Sequence, residues 1–328
     1  MAEIFRDRGY NTYAEVTGPL LPETQVPRGF SNVRHRPGAG AHFMEWLAPT
    51  IGQMRQYVEP WFMLLHVWEV HRPYKPPPDF KKQIGRKGYD RVATAVDLAL
   101  EPLLNEVPPN TYVTITGDHG ENHARTWIGD RFSSLARDVR RVMKPGRWFP
   151  RLDRNLADRA IGHGYSLFEP VVRVPLILAG PSVSPDVKIS DQVRHIDLFP
   201  TLAELCGMQP PRGIDGRSLV PLLSGRSLPV APAYMEVTGA GGEHPLEGVR
   251  IPDWKLVKGR GVPTKLFRLD ANDRRSEKRN VRGKNAGMAR QLASVIDEVA
   301  LSHNGAEAGL TEDEENLVEQ HLRDLGYL

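Results

Sequence analysis

The chain has 328 residues, 40% of them hydrophobic and 25% charged, with a net charge of +3 and a single cysteine. That is the composition of an ordinary globular chain, long enough for one large α/β domain plus a smaller appendage. Cys206 alone excludes internal disulfides and any cysteine-based zinc cluster, the small net charge makes no case for nucleic acid, and no apolar run reaches the length of a membrane span. No apolar signal-peptide core stands at the N-terminus. As written the chain points to the cytoplasm; a longer native N-terminus would open the periplasm or secretion.

Residues 1–9 read as an amphipathic helix stopped by Gly9, and Tyr10–Val16 as a short strand. Thr17–Gly40 is rich in Gly and Pro and reads as a loop. Ala41–Tyr57 has helical spacing through Phe43, Trp46, Leu47, Ile51 and Met54. The run Trp61–Val67 is nearly all apolar, which predicts a strand buried on both faces. His71 follows it in a proline-dense loop. It is either a general acid or anion contact at a sheet edge, or a plain exposed histidine. Tyr89–Leu104 predicts a helix.

Tyr112–Thr116 is a run of aromatic and β-branched residues, the composition of a buried strand. Gly117 ends it, and Asp118, His119, Gly120 and Glu121 follow at its C-terminal end, where open α/β sheets place their sites. Asp118 offers a hard anionic oxygen and His119 a borderline nitrogen, so the pair can bind one divalent cation. The alternative is a helix cap and a packed ring. The segment 124–160 is rich in Arg and has no clean period. It reads as a solvated helical face, or as a basic lid over an anionic substrate. Gly162 and Gly164 flank His163, which suits either an imidazole aimed into a site or a turn. Val174–Gly180 predicts a third buried strand. Asp197 reads as the structural N-cap of a helix through Leu205, with Cys206 a buried thiol at its end. Beyond Ala233, short strands at 233–238, 254–258 and 265–269 suggest a small antiparallel sheet. Leu310–Leu325 predicts a terminal helix with a capping box from Thr311 to Glu314, after a hinge at 304–309.

Assembled in this order, the segments resemble the sulfatase family of the alkaline-phosphatase superfamily. The segments that carry the resemblance are His71-Arg72-Pro73-Tyr74, Asp118-His119-Gly120-Glu121, Gly162-His163-Gly164, Val172–Ile177, Asp197–Leu202 and Asp215–Leu219. It continues through Pro221–Leu223, Leu266–Leu269, and Glu277 to Asn280. The resemblance implies an α/β fold with a mostly parallel sheet flanked by helices, a small C-terminal antiparallel sheet and a terminal helix. It divides the chain into 1–228, with a basic insertion at about 124–160, and 229–328. It implies hydrolysis of sulfate esters of small anionic molecules or glycans, with phosphate or phosphonate esters as the alternative. Asp118 and His119 would hold one divalent metal, calcium first, manganese or zinc second. His71 would contact the sulfate or protonate the leaving oxygen, and His163 would contact the substrate.

The family also begins with a strand ending in paired acids, followed by a Cys- or Ser-x-Pro-x-Arg segment whose Cys or Ser becomes the formylglycine nucleophile. Neither segment occurs in these 328 residues. The expectation is therefore an N-terminally truncated sulfatase, inactive as written, or a non-catalytic remnant that binds anions or a partner. Oligomeric state is left open.

Overall fold

The computed structural model describes residues 1–18, 20–21, 27–36, 45–71, 74, 88–122, 163–164, 166–237, 245–259, 261–270, 276–303, 316–317 and 320. The chain forms two compact units, 1–109 with 308–328, and 110–307. The basic segment at 124–160, Phe43, Gly162, the hinge at 304–309 and most of the terminal helix expected at 310–325 lie outside the described residues.

The first unit is built on a parallel sheet of order β2-β1-β3, with β1 at Asn11–Thr17, β2 at Asn32–Arg36 and β3 at Trp61–Leu65. Ala14 of β1 registers with Val33 on one side and Leu64 on the other. The strand β2 falls inside the stretch expected to be loop. Its sequence, Asn32-Val33-Arg34-His35-Arg36, has no apolar alternation, and pairing with β1 makes it a strand. Helix α1 (Ala2–Asp7) lays Phe5 on Phe62 of β3, rings stacked at 4.6 Å. The loop at Gly29 passes so close to α1 that a Cβ there would sit 2.3 Å from the Glu3 nitrogen. Helices α2 (Leu47–Met54) and α3 (Tyr89–Asn105) share a core of Trp46, Leu47, Met54, Ala99 and Leu103.

Glu15, in the middle of β1, is buried beside this core. Its carboxylate accepts from Arg34 Nε at 2.7 Å, and Arg34 also donates to Thr50 Oγ1 of α2 at 2.8 Å. Burial pushes the Glu15 carboxyl up, and Arg34 and Arg36 only partly offset it. At the strand ends, Arg36 donates to the His66 carbonyl and to Glu69, which also accepts from the Trp46 indole.

In the second unit β4 (Val113–Thr116) pairs antiparallel with β5 (Leu176–Ala179), Ile115 opposite Ile177. A second sheet of order β6-β7-β8-β9 comprises Ala233–Val237, Leu246–Ile251, Trp254–Gly259 and Val262–Arg268, all antiparallel. Helix α7 (Ala286–His303) packs Ala289, Leu292 and Ile296 onto Val249, Leu256 and Leu266 of that sheet. Its apolar residues recur at three- and four-residue intervals, a signal the sequence carries in full. In chain order α4 (Glu169–Val172) precedes β5, and α5 (Leu198–Leu205) and α6 (Val220–Leu223) lie between β5 and β6.

The architecture is α/β with a parallel sheet and a small C-terminal antiparallel sheet, as expected. Three local expectations are corrected. The apolar runs of β3, β4 and β5 are only half-buried, and Ile177 is 56% exposed. Successive side chains alternate faces, and in β5 Ile177 and Ala179 are exposed while Leu176 and Leu178 are half-buried. Cys206 is half-buried rather than enclosed. Asp197 occupies the N-cap position of α5, but its carboxylate does not cap that helix.

Asp197 instead anchors two backbone segments. Its side chain, 1% exposed, takes Arg194 Nη2 at 2.7 Å, the Arg194 backbone N–H at 2.9 Å and the Arg217 backbone N–H at 3.0 Å. Asp197→Ala would leave the Arg194 charge and two N–H groups without their acceptor in a nearly dry site. Breaking a buried pair in this way costs about 3–5 kcal/mol, so urea unfolding of Asp197→Ala should show a loss of that order, and of Asp197→Asn a smaller one.

Candidate functional site

Strand β4 delivers its polar residues where the apolar run ends. Asp118 is exposed, and its Oδ1 accepts the His119 backbone N–H at 2.9 Å, which leaves Oδ2 directed at the His119 ring. His119 Nδ1 lies 2.8 Å from the Gly120 carbonyl oxygen. A carbonyl can only accept, so Nδ1 carries the hydrogen, and in the neutral ring Nε2 holds the lone pair. That lone pair is 3.6 Å from Asp118 Oδ2. Two acceptors facing each other at this separation suit a cation between them, and an imidazole fixed by a backbone carbonyl at its other nitrogen is the usual form of a metal-ligating histidine. The donor set therefore fits a divalent metal, as a partial set. Among the described residues no group of three or more His, Cys, Asp or Glu side chains forms a metal cage.

His163 comes to this pair from 44 positions along the chain, by the numbering. Its ring stacks on that of His119 with centroids 3.7 Å apart and a 30° tilt. His163 Nδ1 lies 3.4 Å from Oε2 of Glu121, a carboxylate only 8% exposed. Gly164 beyond it has φ +79°, a conformation that suits glycine. The structure thus brings Asp118, His119 and His163 together and adds Glu121. The sequence quotes Glu121 in the same motif, but nothing local marks it as a partner of His163. His195, also unmarked, places Nε2 3.2 Å from Thr116 Oγ1 at the end of β4. His71 belongs to the first unit. Its backbone N–H donates to the Trp68 carbonyl at 2.9 Å, and its ring stacks on the Trp68 indole at 4.1 Å.

The Asp118–His119 turn rests on α4. The Gly120 N–H donates to the Val171 carbonyl at 2.6 Å, and a Cβ on Gly120 would lie 2.2 Å from the Pro170 oxygen. Behind α4 is a buried ionic cluster. Lys255 of β8, fully buried, reaches Glu169 Oε1 at 2.6 Å, Glu277 Oε1 at 2.8 Å and the Leu167 carbonyl at 2.9 Å. Arg250 grips both oxygens of Glu169, at 3.0 and 3.1 Å. Burial pushes the Glu169 carboxyl up, but Arg250 and Lys255 outweigh it and hold Glu169 below the ordinary range. Burial wins at Glu277 and keeps that carboxyl above it, against Lys255. The two act on stability with opposite sign. Glu169 supports the fold above the ordinary carboxylate pKa, and that support is lost as pH falls through its lowered value. Glu277 favours the fold in acid and loses that contribution as pH rises through its raised value.

Since Pro170 offers backbone, not a flexible side-chain tip, Gly120→Ala must push α4 away from the turn. The expected cost is about 1–3 kcal/mol, read by thermal unfolding.

A family model described as Sulfatase matches residues 1–208, and one described as N-sulphoglucosamine sulphohydrolase, C-terminal, matches residues 164–300. Arylsulfatase K of Danio rerio is 31% identical over 139 residues, 40% of this chain and 26% of that protein. Arylsulfatase K of Xenopus laevis is 30% identical over 203 residues, 57% of this chain and 31% of that protein. The match thus spans about a quarter to a third of these curated relatives. The phosphonate monoester hydrolase of Agrobacterium radiobacter superposes with a TM-score of 0.63 at 16% identity, covering 95% of this chain and 82% of that one. A protein solved with its substrate D-glucosamine-2-N,6-O-disulfate superposes at 0.62 with 15% identity, covering 95% and 83%. These structural likenesses concern the fold, which is that of solved sulfatases; the family model covers well over half of the sequence, and the chain belongs to the sulfatase family.

Proposed function

We propose that this chain forms part of a metal-dependent hydrolase of sulfate esters, with Asp118 and His119 as ligands to one divalent cation. The observation that carries the reading is the His119 ring, held through Nδ1 by its neighbour's carbonyl with Nε2 turned to Asp118 Oδ2. The family generally uses a divalent metal. A bound cation would draw charge from the sulfate oxygens as the ester bond breaks. Two protein ligands are fewer than calcium takes, so further oxygens from water, substrate or other residues would complete it. A histidine ligand suits manganese or zinc better than calcium.

The remaining roles fall to the chain's own side chains. His163, whose Nδ1 faces the Glu121 carboxylate, would donate to a sulfate oxygen or to the leaving oxygen as the imidazolium. His71 is the second candidate for that proton. The substrate class is an anionic small molecule or a sulfated glycan. The alternative is a phosphonate or phosphate ester, favoured by the histidine in the ligand pair. These 328 residues contain no Cys- or Ser-x-Pro-x-Arg segment, so the chain by itself should bind without turning over an aryl sulfate.

Calorimetric titration of the 328-residue chain with Mn2+ and Ca2+ tests the reading. Wild type should bind, and Asp118→Asn and His119→Ala should each weaken binding by at least about tenfold. Binding indifferent to Asp118 would favour a non-catalytic anion-binding role. A panel of sulfate, phosphate and phosphonate esters on an active form then separates the ester classes.

A further inference from the structure

We infer that Lys255 is a positioning residue for the Asp118–His119–His163 centre, and that it couples the C-terminal sheet to the chemistry. The inference rests on the reading of those three residues as the reaction centre. Lys255 lies on β8, whose other buried residue, Leu256, serves the α7 core. Its side chain leaves that core and ends in a fully buried ammonium group with three acceptors. Two of them, the Leu167 carbonyl and Glu169, belong to the segment that runs from His163 to Val171.

That segment touches the centre at both ends. At one end His163 stacks on His119. At the other the Val171 carbonyl takes the Gly120 N–H, next to the carbonyl that fixes His119 Nδ1. Glu277 locks the arrangement: its Oε1 accepts from Lys255, and its Oε2 accepts the Glu169 backbone N–H at 2.6 Å. One buried charge therefore fixes the position of a segment that carries one candidate residue and supports the other two. A purely structural role would need only the packing of β8 on α7. The network points the other way, toward α4.

The test compares Lys255→Met and Glu277→Gln with Leu292→Ala, which loosens the α7 core without touching the network. Glu277→Gln is the milder change. It keeps the shape, but its amide nitrogen would face the Glu169 N–H where an oxygen stood. Two readouts are followed on the whole chain: hydrogen exchange at the Gly120 amide relative to the Cys206 amide of α5, and affinity for Mn2+. We expect both network variants to speed Gly120 exchange at least about tenfold and to weaken Mn2+ binding by about 10–100-fold. Leu292→Ala should lower the melting temperature and leave both readouts at the wild-type value, while Lys255→Arg should restore much of what Lys255→Met loses. If Glu277→Gln melts lower but keeps wild-type Gly120 exchange, the inference fails. If Leu292→Ala moves both readouts as far as Glu277→Gln does, it fails too. A wild-type chain that binds no Mn2+ would overturn the metal reading, and the exchange comparison would still decide the positioning role.

Discussion

A charged ammonium group with no exposed surface is the constraint around which the second unit is arranged. A charge in such a place is tolerated only with close counter-charges and satisfied protons. Lys255 meets that demand with two carboxylates and a carbonyl, and each of the three belongs to a different stretch of chain from β8. Arg250 from the adjacent strand supplies the second positive charge that Glu169 needs. Replacing such a cluster with apolar side chains of similar volume is often no loss in stability. Its value lies in specificity: an apolar contact tolerates sliding, whereas two carboxylates and an ammonium group have one good arrangement.

The consequence appears at the other end of α4. This helix is a single turn, too short to be stable by itself. It holds its place because Glu169 is gripped from behind and Val171 is bonded in front to Gly120. The approach is close enough that any side chain at position 120 would have to push α4 aside. Asp118 and His119 thus sit on a loop whose geometry comes from backbone contacts and a distant ionic cluster. The two proposed ligands at this strand end need such support, because side chains on a short loop would otherwise lose conformational entropy on each binding event.

The first unit follows another principle. Its central strand β1 is flanked on both sides by parallel neighbours and carries a buried glutamate facing Arg34 of β2. The unit therefore mixes an apolar core under α2 and α3 with a line of paired charges along the strands. His71 leaves this sheet on a turn stabilised by ring stacking on Trp68.

The strands β1, β3 and β4 and the helix α3 were legible in the sequence, because apolar and β-branched runs and three-to-four spacing are local signals. The family was legible too, through short motifs in a fixed order. Helix α7 carries a regular apolar stripe, yet no element is expected at 286–303 in the sequence reading; β2 gave no such signal, since its residues are polar and only pairing with β1 makes them a strand. By itself the sequence offered the candidates for the chemistry: Asp118, His119, His163 and His71 stand in motif positions set by local order. Tertiary structure decided which of their neighbours matter. It stacked His163 on His119, put Glu121 behind His163, turned Asp197 from a helix cap into a clamp, and seated Lys255 between Glu169 and Glu277. The physical reason is distance along the chain. These contacts join residues tens of positions apart, and they form only because burial makes a charge seek its counter-charge wherever the packed chain brings one.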